Sequence, residues 1–134
     1  MKILYTALFL VFLTACTVTE DGIIINQPTV PSVNLCENVA TDQQAEGMRD
    51  QIKDQAFKDE KLQRARLVTD GFCFVSTQVV TVLDGFTFDS SKLTMAKELY
   101  KQTTDRQSNY MIVVDSFTHK SDREELMDYI QNNP

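Results

Sequence analysis

The chain predicts an all-α fold, a small bundle or short solenoid of about six helices built from helix pairs that recur every 31 residues. Phe57-Lys-Asp-Glu-Lys-Leu-Gln-Arg-Ala65 and Phe88-Asp-Ser-Ser-Lys-Leu-Thr-Met-Ala96 place Phe, Lys, Leu and Ala in register. The same offset carries Val79, Val82 and Leu83 onto Tyr110, Val113 and Val114, and Leu83-Asp-Gly-Phe86 onto Val114-Asp-Ser-Phe117. A fixed period of this size marks stacked helical units, each with an apolar face that only a neighbour can cover. Apolar residues also recur at three- and four-residue steps, in Leu62, Ala65 and Val68, in Leu93, Ala96 and Tyr100, and in Leu126, Tyr129 and Ile130. Each set shares one helical face.

Residues 1–15 stand apart from this fold. Lys2 precedes an apolar run from Ile3 to Leu13, too short to span a bilayer and suited to the core of a signal peptide. Leu13-Thr-Ala-Cys16 resembles the bacterial lipobox, in which the cysteine is acylated and becomes the new N-terminus. The alternative is an ordinary cut after Ala15 that leaves Cys16 a free thiol. The small Thr14 and Ala15 directly against Cys16 favour the lipid. Residues 16–35 read as lipidated cysteine and flexible tether, with Gly22, Pro28 and Pro31 and no helical period. Extended, that tether reaches about 55 to 65 Å. Its Gly22-Ile-Ile-Ile-Asn26 is open to two other readings, a strand added to a partner or a segment at the membrane surface.

Residues 36–134 hold the predicted domain. Asp42 to Ala56 carries the stripe Ala45, Met48, Ile52 and Ala56. Lys58 to Thr69 follows, its charges reading as a solvated face. Ser76 to Asp84, Asp89 to Lys101, Asp105 to Asp115 and Ser121 to Gln131 complete the six. The β-branched runs Gln78 to Leu83 and Tyr110 to Val114 favour strand by propensity. Their equivalent places in the repeat assign them to helix. Asp89 and Asp105 are candidate N-caps, and Ser121-Asp-Arg-Glu124 has the capping-box pattern. Gly71 and Gly85 suit left-handed helix endings.

The run Phe-x-Phe-Asp-x-x-Lys-Leu-x-x-Ala-Lys from Phe86, with Asp105 to Tyr110, Phe117 to Ile130 and the upstream Cys73-Phe-Val-Ser-Thr-Gln-Val79, resembles the family called domain of unknown function 4476. The resemblance covers about Cys36 to Ile130. It implies a small helical domain, often behind a bacterial export signal, and supplies no catalytic residues. One departure is Asp105-Arg106, where the family usually has Pro after Asp.

The whole chain carries a formal charge of −6, and −7 once Lys2 is removed with the signal. No Lys/Arg cluster follows a phosphate backbone, so nucleic acid is not an expected partner. An acidic surface is not drawn to anionic lipid either, which leaves the acyl chains as the anchor. With Cys16 assigned to lipid, Cys36 and Cys73 remain, as a structural disulfide, two free thiols or a redox pair. A redox pair usually has Cys-x-x-Cys spacing, which these lack.

Asp70, Asp84 and Asp115 precede turns ahead of Phe72, Phe86 and Phe117. They are weak candidates for calcium; the competing reading has each accept from backbone N–H groups of its turn. His119 is the only histidine and aligns with Phe88, which suggests a semi-buried packing place. Phe57, Phe72, Phe74, Phe86, Phe88 and Phe117 read as core plugs between units. Phe72, Phe86 and Phe117 are the weak candidates for partner contacts. No cofactor is implied. The expected function is non-catalytic: a lipid-anchored envelope protein that binds or scaffolds a protein or peptide, at the outer membrane, with another envelope protein as partner. The alternative is a calcium- or small-ligand-binding sensor or enzyme that uses the Asp row.

Overall fold

The computed structural model describes residues 36–134. The predicted signal, Cys16 and the predicted tether lie outside the described residues. Within them the chain forms seven helices: α1 Asp42–Lys53, α2 Lys58–Thr69, α3 Ser76–Leu83, α4 Asp89–Tyr100, α5 Arg106–Asn109, α6 Met111–Asp115 and α7 Lys120–Asn132. The all-α expectation holds, including both β-branched runs. Burial is the reason: Val79, Val82, Leu83, Val113 and Val114 are all in the core, and packing overrides propensity there.

The helices pack as two layers. α1, α3 and α6 lie side by side in one, α2, α4 and α7 in the other, and each of α1·α2, α3·α4 and α6·α7 is a contact between layers. α2, α4 and α7 begin at Lys58, Asp89 and Lys120. The elements between them differ in length, with eight residues in α3 and four and five in α5 and α6, so the units are not copies of one another. The expected helix Asp105 to Asp115 is broken at Tyr110. Ser108 and Asn109 hydrogen-bond back to Asp105, a local bonding that competes with helix.

The segments that precede α1, α3 and α5 are stitched together by backbone hydrogen bonds. Ala40 N donates to Cys73 O (2.8 Å) and Cys73 N to Asn38 O (2.9 Å). Phe74 N donates to Gln102 O (3.0 Å) and Thr104 N to Phe74 O (2.9 Å). The two pairings, Val39 with Cys73 and Phe74 with Thr103, are parallel. Cys36 and Cys73 form a disulfide here, with Cα atoms 5.8 Å apart. The core between the layers includes Ala45, Met48, Ile52, Phe74, Leu93, Ala96, Leu99, Tyr110, Phe117 and Leu126.

Helix starts follow a different logic from the expected caps. Thr41 and Gln44 form a reciprocal capping box on α1. Asp105 is the N-cap of α5, but its carboxylate accepts from Ser76 N and Oγ (both 2.8 Å) and so ties α5 to α3. Asp89 is the first residue of α4, whose N-cap is Phe88, and Ser121 lies inside α7, whose N-cap is His119. Gly71 adopts the left-handed conformation (φ 74°) and Gly85 does not. Gly85 is needed for space: a Cβ there would stand 2.8 Å from Arg49 O and 2.9 Å from Ile52 Cβ.

Candidate functional site

A cleft with polar and aromatic groups in its wall opens on the described surface. Its volume is about 430 Å³, within the usual range for ligand sites. Three segments build it: the end of α4 (Tyr100), the broken α5–α6 pair (Arg106, Gln107, Ser108, Tyr110 and Met111) and the last turn of α7 together with Pro134 (Ile130, Gln131 and Pro134). α6 packs on α3 and α7, and residues of α5 and of the end of α7 line the same cleft.

The floor is aromatic. Tyr100 stacks edge-on against Tyr110, with centroids 4.9 Å apart, and against Tyr129 at 6.1 Å. Tyr110 donates its hydroxyl to Ala96 O at 2.6 Å, a carbonyl inside α4. Burial pushes that hydroxyl well above the ordinary phenol range, and Tyr100 and Tyr129 beside it add to the shift. Tyr110 therefore stays protonated and acts as a fixed donor, not as an acid or base.

Arg106 sets the polarity. Its guanidinium carbon lies 5.6 Å from the Tyr100 ring centroid, a cation–π geometry. Its Nε is buried without a hydrogen-bond partner. None of the ion pairs among the described residues includes it. The neighbouring Asp105 is already engaged: burial pushes its pKa up, but the hydrogen bonds from Asn109 and from Ser76 outweigh this and hold it below the usual carboxylate range. No side chain of the cleft lining is a carboxylate, imidazole or thiol. What it can do is bind and orient an apolar group that carries negative charge.

The residues singled out from sequence lie elsewhere. Asp70, Asp84 and Asp115 are exposed at separate helix ends, and among the described residues no group of three His, Cys, Asp or Glu side chains could hold a metal ion. Phe86 and Phe117 are buried, and Phe72 is half-buried against the core. The partner-contact expectation for Phe86 and Phe117 is therefore corrected, because the turns that carry them fold inward between the layers. Among the described residues, the exposed members of the phenylalanine set expected in the core are Phe57 (68% accessible) and Phe88 (59%), the N-caps of α2 and α4. They are not the core plugs expected of them. His119, the N-cap of α7, is exposed too, with Nε2 3.7 Å from Asp89 Oδ2. Its expected semi-buried place is likewise corrected.

A family model described as Domain of unknown function (DUF4476) matches residues 39–130. The chain belongs to this family. Its matched span starts at the first of the stitched leads and ends at Ile130 in the wall of the cleft, so it takes in all seven helices but the last residues of α7. No curated protein and no solved structure matches the chain. Sequence reasoning noticed Arg106 only as a departure from the family pattern. A lone arginine beside an aspartate looks like a local ion pair in a one-dimensional reading. Only the fold shows that the aspartate is taken by another helix.

Proposed function

We propose that this member of the DUF4476 family is a non-catalytic binding module of the bacterial envelope, held to the outer membrane by an acylated Cys16 and taking a protein or peptide segment in the Tyr100–Arg106–Met111 cleft. The observation that carries the reading is a half-buried guanidinium, stacked on Tyr100 and lacking a protein partner, at the wall of an apolar cleft. A buried donor left unmade is costly, so such a group is a reason to expect a ligand. The acyl anchor is supported by Leu13-Thr-Ala-Cys16 behind an apolar run of signal-peptide length.

The test is site-specific photo-crosslinking in living cells. A photoreactive residue at position 111 or 131 should yield a discrete adduct, and one at the exposed position 60 should not. Equal labelling from all three positions, or none from the cleft, refutes the reading. Cys16→Ala should move the protein from the membrane to the soluble fraction; a protein that stays membrane-bound removes the lipid anchor.

A further inference from the structure

We infer that the Cys36–Cys73 disulfide and the pairings beside it form a mechanical strap, which carries tension from the N-terminal anchor to the binding cleft without passing through α1 or α2; this rests on the proposed anchor and cleft. Tension on the chain upstream of Cys36 meets a covalent bond to Cys73, 37 residues further on. The residues between them, which include α1 and α2, are thereby taken out of the loaded path. From Cys73 the path crosses through Phe74 to the segment Gln102 to Asp105. That segment lies between Tyr100 and Arg106, both in the cleft wall. Two short crossings thus join the chain's point of entry to the cleft, with no helix between them.

The two crossings are reinforced differently. The first is exposed: Asn38 and Val39 face water, which competes for the bonds from Cys73 N to Asn38 O and from Ala40 N to Cys73 O. The disulfide lies at this crossing. The second is buried, with Phe74 and Ser76 0% and Thr103 1% accessible. There Phe74 N donates to Gln102 O, and Phe74 O accepts from Thr104 N and from Thr104 Oγ1 (3.2 Å). Asp105 Oδ1 accepts from both Ser76 N and Ser76 Oγ, bonds strengthened by the carboxylate charge. The pairing of Phe74 with Thr103 is parallel. Tension that enters ahead of Phe74 and leaves after Asp105 draws these two segments in opposite directions along their length. The bonds are then loaded together, in shear, and do not open one after another.

Single-molecule force spectroscopy on the full-length protein in detergent tests this, with clickable handles at position 20 and at the exposed Gln107 of the cleft wall. The oxidised protein should rupture in one event. With dithiothreitol, or in the Cys36→Ala, Cys73→Ala variant, rupture should begin at lower force. The released length should then grow by about 120 to 130 Å, the reach of the 37-residue separation at 3.3–3.6 Å per residue. Asp105→Asn should lower the rupture force of the oxidised protein along this axis. It should leave the first rupture unchanged when the second handle is moved to the exposed Gln131, where pulling peels α7 first. An equal loss along both axes marks general destabilisation and overturns the strap. So does the same released length, or the same rupture force, with and without reductant. The purified protein is pulled by its handles, so either result leaves the anchor and cleft readings standing; those fail separately, in the Cys16→Ala fractionation and the photo-crosslinking.

Discussion

The two edges of the domain solve opposite halves of one problem. At one edge α1, α3 and α5 begin, and the segments ahead of them run side by side as stitched backbone. At the other edge α1, α3 and α6 end, and lysines from the second layer reach across to the carbonyls there. Lys61, only 7% accessible, donates to Ile52 O (3.0 Å), Lys53 O (2.9 Å) and, more distantly, Gly85 O (3.4 Å). Lys92 donates to Ser116 O (2.8 Å) and sits 5.0 Å from the Phe117 ring centroid. Acids mark the starting edge instead: Asp42 accepts from Gln78 Nε2 (2.9 Å), and Asp105 accepts from Ser76. The side chains that bond across the two edges thus follow the helix dipole, Asp42 and Asp105 at N-terminal ends and Lys61 and Lys92 at C-terminal ends, while the exposed Asp54, Asp84 and Asp115 at the ending edge oppose it. The starting edge also has a covalent tie and the ending edge has none, so the two should fail differently.

The disulfide should show the largest effect. It closes a loop of 37 residues' separation at the starting edge, worth about 4 kcal/mol in the chain-entropy model. The Cys36→Ala, Cys73→Ala double variant should lose about that much in urea melts, and a loss below about 1 kcal/mol would place the stability of this edge in its backbone bonds. Lys61→Met comes next, at about 3 kcal/mol, because it leaves carbonyls in a buried site without their donor. Lys92→Met has one carbonyl and one ring to lose, so about 1 to 2 kcal/mol is expected. Equal costs for the two lysines would mean that burial depth, not bond number, sets their worth.

A pH scan separates the edges further. Asp105 has a folded pKa below its unfolded value, so its contribution is present above about 3.9 and is lost as pH falls through the lower folded value. Asp105→Asn should flatten that acid limb of the stability curve, and an unchanged limb would remove Asp105 as its source. The smallest effect belongs to the aromatics exposed at the ending edge. Phe57→Ala and Phe88→Ala should each change stability by less than about 0.5 kcal/mol in the same melts. A larger loss from either would show that its ring shields the neighbouring lysine.

Much of the fold was legible in the residues. The stripes Ala45, Met48, Ile52 and Leu93, Ala96 are in the core where their spacing placed them, and the capping pattern Thr41-x-x-Gln44 could have been read as the start of α1. The Asp105–Ser76 tie could not, because Asp105 is equally suited to cap its own helix. Nor could the break at Tyr110 be read from a run that fits a continuous helix.

By itself, the sequence determined which segments are helical and which faces they bury, because period and apolar pattern act over a few residues and every packing solution must respect them. The tertiary structure alone decided which phenylalanines face water, why Gly85 must lack a side chain, and why Arg106 has no partner. Those outcomes depend on groups 24 to 38 residues apart in the chain, such as Lys61 with Gly85 and Gln78 with Ala40, whose approach is set by how the layers cross.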